Sequence, residues 1–275
     1  MIVPKMQVDL FELANNHCWR TKFGFRQWTL DTAPASMRIE TNAGGFTENG
    51  WIDFGFQTYY ALLNCGFRMR PTGGTASGVH PVPLGFGRVY VQLKDGFTYD
   101  RWIKGLDAGH SFVTTGPMML LEFNGQPPGF AFRDFQEAGD LRITGTIESP
   151  RPLDRIELVV NGRVTQITPK TSVTELGGYR SSIQTTVRLD RSSWVAVRAF
   201  EATTDGSVRF AHSAPVHCEV AGKPLLPRKF ETDYFIRRME EEIARNRDVL
   251  AAEELKEYSD ALEIYRELGK RATSE

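Results

Sequence analysis

The feature that most constrains this chain is residues 59–91, YYALLNCGFRMRPTGGTASGVHPVPLGFGRVYV. Tyr59, Leu62 and Leu63 fall on one helical face, and Gly66 marks the helix stop. A short strand follows, then a loop of glycine, threonine and serine from Gly73 to Gly78, then a β-branched strand at residues 88–91. Helix, strand end and small-residue loop in that order is how an α/β barrel builds part of its active-site rim. Small residues let backbone and hydroxyl groups approach a ligand closely. An ordinary crossover closed by a glycine turn has the same pattern, and loop composition leaves both open.

Three segments are distinguishable along the chain. Residues 1–117 read as α/β. Residues 8–13 are nearly continuously apolar apart from Asp9 and Glu12, as in a strand buried on both faces. Residues 31–53, rich in Gly, Asn, Thr and Pro, read as a long irregular excursion. A helix is expected from Thr98 or Asp100 to Ala108, with Thr98 as N-cap and Gly109 just past the end. Residues 118–222 alternate in short runs, at 141–147, 156–160, 185–189, 194–200 and 207–210, with Asn161-Gly162 as a hairpin signal. Such a series without intervening helices predicts a β-sandwich. Alternation puts Trp194, Ala196, Arg198 and Phe200 on one face, with Arg198 at a sheet edge or snorkelling. Residues 223–275 read as a helical tail. Thr232 or Asp233 caps a helix carrying Phe235, Met239 and Ile243, and a second helix carries Leu255, Tyr258, Leu262 and Tyr265. Both apolar stripes are expected to pack on the protein itself.

Length and composition narrow the function classes. A chain of 275 residues has room for two modest domains and a sizeable core. With 41% hydrophobic and 24% charged residues it reads as a soluble globular protein, and a net charge of −1 argues against a nucleic-acid groove. No apolar run is long enough to span a membrane, and MIVPKMQVDLF lacks the pattern of a signal peptide. Cys18, Cys65 and Cys218 are too few and too scattered for a disulfide framework or a zinc cage. The compartment stays open.

Several motifs occur together: YYALLNCGFR, GGTASGVHPVPLGFGRVYV, and a later set formed by Trp102, Gly105, Leu106, Ala108, Gly109 and Ser111 to Pro117. With VDLFELANNH at residues 8–17, the α/β segment resembles the CehA/McbA-type metallohydrolases of the PHP (polymerase and histidinol phosphatase) superfamily, and the sandwich and tail do so more loosely. The resemblance implies a partial PHP-like α/β barrel and hydrolysis of an ester, amide, carbamate or phosphoester bond. It also implies divalent ions, zinc or manganese, in the intact protein, with none in this chain alone as the alternative. The family's His-x-His pair is absent: the histidines are His17, His80, His110, His212 and His217. The family's Gly-Ser-Asp-x-His run is matched by Gly74-Thr75-Ala76-Ser77-Gly78, with Ala76 and Gly78 where the ligands would stand. Neither residue can bind a metal. Because a βα unit takes roughly 30 residues, a whole barrel does not fit before the sandwich. The expectation is therefore a C-terminal portion, or a natural remnant, of a longer protein. Its exposed sheet edge would be covered by a homo-oligomer or a rearrangement.

Candidate substrate contacts are Asn16, His17, Trp19 and Arg20 after the first strand, Thr75 and Ser77 in the small-residue loop, and His110, Thr114 and Thr115 around a later strand. His17 and His80 are the metal candidates, although a lone imidazole also reads as a structural hydrogen-bonder and Pro81 and Pro83 stiffen the loop of His80. His110 reads as the partner of a substrate anion or of a helix C-terminus. Glu12, if buried, calls for an arginine partner. His212 and His217 carry no expected chemistry. A serine or cysteine nucleophile is not expected: there is no Gly-x-Ser-x-Gly elbow, and Cys65 lies among apolar helix residues. The expected partner is a small-molecule substrate, not nucleic acid or a membrane. The rival reading is a non-catalytic binding or assembly module that kept the scaffold without the ligand set.

Overall fold

The computed structural model of the chain describes residues 2–23, 33–76, 78, 80–135 and 139–274. A single helical turn, α1 (Ile2–Lys5), precedes strand β1 (Leu10–Ala14). A two-rung hairpin, β2 (Thr41–Asn42) and β3 (Gly45–Phe46), leads into helix α2 (Glu48–Asn64) and strand β4 (Arg70–Gly73). β4 lies parallel to β1, with Leu10 opposite Arg70 and Ala14 opposite Gly73, so α2 is the crossover helix of a βαβ unit.

Two local expectations change here. α2 begins inside the stretch that reads as irregular, because Asn49, Gly50 and Gly55 are weak helix formers and mask the pattern. Its start is set by Thr47, whose Oγ1 accepts from the Gly50 N–H at 3.0 Å. β1 is not buried on both faces: only Leu13 and Ala14 are, and Glu12 is exposed, accepting from Asn15 Nδ2 at 3.2 Å rather than pairing with an arginine.

Strand β5 (Arg88–Val91), helix α3 (Tyr99–Asp107) and strand β6 (Ser111–Thr114) follow. Thr98 caps α3 through Oγ1, which accepts from Arg101 N at 3.3 Å. The remaining strands are β7 (Met118–Phe123), β8 (Ala131–Phe135), β9 (Gly139–Ser149), β10 (Leu153–Val160), β11 (Arg163–Ile167), β12 (Lys170–Val173), β13 (Tyr179–Leu189), β14 (Ser193–Glu201), β15 (Phe210–Ser213) and β16 (Val216–Val220). Asn161 and Gly162, with φ of 51° and 81°, turn β10 into β11.

An eight-stranded sheet runs β11-β10-β14-β15-β6-β5, with β16 pairing β14 and β8 along the way, and a four-stranded sheet runs β12-β13-β9-β7. β5 and β6 hydrogen-bond into the large sheet, which therefore crosses residue 117, where the sequence changes character.

The large sheet is covered on both faces, and β14 is buried along its whole length. Val195, Val197 and Ala199 pack with Leu121, Ile143 and Ile147 of the small sheet, which makes the sandwich. Trp194, Ala196 and Phe200 face a second core shared with Phe56 and Tyr60 of α2 and with two C-terminal helices, α4 (Lys229–Asn246) and α5 (Ala252–Lys270). The result is a mixed α/β protein of three layers. The tail packs on its own protein through Phe235, Met239, Leu262 and Tyr265. α4 starts earlier than a Thr232 or Asp233 cap would set it; the buried Glu231 carboxylate accepts from Arg228 N at 2.8 Å at the helix entry.

Arg198 is neither at an edge nor snorkelling. It is 6% exposed in the middle of the sheet, bonded to Glu157 at 2.6 Å and to Asp53 of α2 at 3.5 Å. The two carboxylates compensate the charge that burial would otherwise penalise. Among the described residues, no helix is long and apolar enough to cross a membrane.

Candidate functional site

Parallel strands put their carboxyl ends on the same side, and the loops leaving β1 and β4 meet there. Gly74 N donates to Ala14 O at 2.9 Å. Gly87 lies against both strands: a Cβ there would stand 2.6 Å from Gly74 O and 3.1 Å from Ala14 O. Thr75 ties the base of the loop, since its Oγ1 accepts from Gly87 N at 2.8 Å and donates to Gly87 O at 3.2 Å. Its hydroxyl is engaged in closing the loop.

The loop after β1 winds through two short 3-10 turns, Asn16–Trp19 and Thr21–Phe23. The first turns of α2 hold it in place. Glu48 accepts from Thr21 N at 2.9 Å and Thr21 Oγ1 at 3.0 Å, and Trp51 Nε1 donates to His17 O at 3.0 Å. Asn16, 4% exposed, donates from Nδ2 to His80 Nδ1 at 2.8 Å. His80 stacks on Phe23 with ring centroids 4.5 Å apart and meets His17 edge-on at 5.2 Å. His17 Nδ1 donates to the Phe23 carbonyl. These bonds set the tautomers: the proton of His80 sits on Nε2, and that of His17 on Nδ1. The structure thus brings Asn16, His17 and His80 together.

Beside them, Trp19 meets Phe86 edge-on at 5.0 Å. The guanidinium of Arg209 lies 4.5 Å from the Trp19 ring and 4.8 Å from the Phe86 ring. Burial is the main cause that lowers its pKa, yet a guanidinium stays charged at neutral pH. Among the described residues Arg209 makes no ion pair. Arg20 instead pairs with Asp205 at 2.7 Å, whose carboxyl is held at about 2 by the Ser207 hydroxyl and amide, with Arg20 adding to the effect. No local sequence signal marks Arg209 or Phe23; they reach the rim only through the fold.

The other candidates stand elsewhere. Ser77 lies outside the described residues. Thr114 is fully buried, with Oγ1 donating to Pro117 O at 2.7 Å and accepting from Gly116 N at 2.8 Å. Thr115 Oγ1 accepts from Phe210 N at 3.0 Å. Both hydroxyls secure strand ends. His110 precedes β6 whereas Thr114 ends it, and four residues of strand put about 13 Å between them. His110 therefore sits at the end of β5 and β6 away from the rim. In the sheet, Tyr60 OH donates to His212 Nε2 at 2.8 Å and His212 Nδ1 donates to Ser213 O at 2.7 Å. Burial drives the pKa of His212 from 6.5 to about 3, and that of His217 to about 4. Burial also pushes the Cys18 thiol up to about 11, well away from a reactive thiolate.

His17 and His80 by themselves fit a divalent ion poorly. His80 accepts at Nδ1 and so carries its proton on Nε2, whereas a Nδ1–H bond to a carbonyl, as in His17, is the usual orientation of a metal-binding imidazole. The pair offers at most one ligand, and Ala76 and Gly78 add no donor side chain. Among the described residues no three His, Cys, Asp or Glu side chains are grouped to hold a metal ion. A scan against protein-family models finds no match for this chain, and a search of curated proteins finds none either.

Proposed function

We propose that this chain supplies one wall of the active site of a PHP-like metal-dependent hydrolase acting on an ester, amide, carbamate or phosphoester. The observation that carries the reading is the meeting of Asn16, His17 and His80 at the carboxyl ends of two parallel strands, the side on which α/β barrels place their chemistry. Among the described residues β1 pairs with β4 alone, and its other edge is where a further strand of a barrel would add. A divalent ion, when bound, would polarise the scissile group and activate water, with at most His17 of this imidazole pair among its ligands. His80 would donate from Nε2 to a substrate oxygen, with Asn16 fixing its tautomer and His17 and Phe23 fixing its ring. Arg209, held over the Trp19 and Phe86 rings and making no ion pair among the described residues, would meet negative charge on the substrate.

The test is turnover of p-nitrophenyl phosphate, acetate and carbamate substrates, with zinc or manganese, by the full native polypeptide that carries these residues. His80→Ala is expected to lower kcat/KM about 100-fold with Tm preserved. Undiminished turnover in that variant would overturn the wall assignment. Ligand binding without any turnover would establish the rival reading, a binding module, which Ala76 and Gly78 favour by standing at the ligand positions of the resembled motif.

A further inference from the structure

Two hollows meet at the end of β5 and β6 that faces away from the rim. The first, about 430 Å³, opens between β5 and β7, the edge strands of the two sheets, and is lined mainly by carbon from Tyr90, Phe112, Met118, Met119 and Leu121. Tyr90 and Phe112 face each other across the β5–β6 register and stack at 5.3 Å. The second hollow, about 490 Å³, lies between α3 and the segment after β5, and is lined by Lys94, Asp95, Arg101 and Lys104. Gln92 and His110 line both, joined by Gln92 N donating to His110 O at 2.7 Å.

Local sequence builds this junction. α3 seats closely on β5 because residue 105 is glycine: a Cβ there would come within 2.5 Å of Val91 Cγ1. Lys94, after β5, and Lys104, on α3, both line the second hollow. Among the described residues neither lysine makes an ion pair, and Arg101 is satisfied by the Asp95 backbone carbonyl. Three cations against one carboxylate leave the second hollow positive. Burial, then Lys94, lowers the pKa of His110, which is therefore a neutral hydrogen-bonding group at pH 7.5.

We propose that the paired hollows bind an amphiphilic anion, a medium-chain carboxylate with its tail in the first hollow and its head against Lys94 and Lys104 in the second. The size of the first hollow supports a chain rather than a single ring, since a cavity of about 150 Å³ already holds benzene. A tail of on the order of ten carbons fills the larger volume. The charge of the second hollow selects an anion over a neutral lipid. The site is independent of the rim and of any hydrolytic activity.

Decanoate titrated into the intact chain at pH 7.5, followed by calorimetry and by methyl spectra of labelled methionine, tests the proposal. The expected dissociation constant is on the order of 0.1 mM. Of the 7 methionines, Met118 and Met119 should shift while Met37, Met69 and Met239 stay still. Octanoate should bind about tenfold more weakly for its two lost methylenes. The exposed pair Lys94→Glu/Lys104→Glu should weaken decanoate at least about tenfold and leave decanol unchanged. Decanol binding as tightly as decanoate, shifts confined to other methionines, or no binding at 2 mM would each overturn it.

Discussion

Acid should destabilise this protein through His212, and the size of the effect can be worked from its surroundings. The imidazole has no exposed surface, stands beside Arg198 and the rings of Phe56 and Tyr60, and has both nitrogens engaged by Tyr60 and Ser213. Burial, partly offset by the Ser213 carbonyl and reinforced by Arg198, lowers its pKa in the folded state from 6.5 to about 3. The unfolded chain therefore takes up a proton that the folded chain refuses. Stability is fully present above pH 6.5 and is lost as pH falls from there towards 3. At about 1.36 kcal/mol per unit, the loss is nearly 3 kcal/mol by pH 4.5 and on the order of 5 kcal/mol at the limit. Urea unfolding followed by tryptophan fluorescence at pH 7.5 and 4.5 measures it, with His212→Gln as the comparison. The glutamine keeps a donor and an acceptor but cannot titrate, so it should lack most of this pH dependence whatever its absolute stability. His217 and the carboxylates contribute alike to both proteins and cancel. Equal losses in the two proteins between these pH values would refute the assignment.

Other substitutions probe the remaining joints. Asn64 accepts from Trp194 Nε1 at 2.7 Å and donates to Glu231 at 2.8 Å and Asn161 O at 3.2 Å, so Asn64→Leu leaves the buried Trp194 N–H without its acceptor and takes one bond each from Glu231 and the half-buried Asn161. The expected loss is about 2–4 kcal/mol by urea midpoint. Glu157→Gln leaves Arg198 with Asp53 alone and should cost about 3 kcal/mol, read by calorimetric unfolding. Gly87→Ala forces a methyl group against Gly74 O and should cost about 1–3 kcal/mol, with faster hydrogen exchange at the Gly74 amide as the local sign.

What was legible in the sequence is what depends on a few neighbouring residues. The Thr98 cap, the Asn161-Gly162 turn, the alternation through 194–200 and the stripes of the two C-terminal helices all operate within one or two turns of chain. So did the placing of Asn16 and His17 after one strand and His80 after another. The start of α2 was hidden because poor helix formers occupy its first turns, and the capping of that helix by Thr47 outweighs them.

Tertiary structure decided the rest, because each remaining feature joins groups far apart in the chain. Arg198 could be buried only once α2 brought Asp53, and β10 brought Glu157, to its guanidinium. Arg209 joined the rim only when β15 paired with β6 and carried the residue before it over Trp19 and Phe86. The antiparallel register of β5 and β6 sent His110 to one end and Thr114 to the other, dividing residues that lie close in sequence between two surfaces. Local propensity reports the conformation of a segment; which segments become neighbours follows from the burial of both faces of the central sheet.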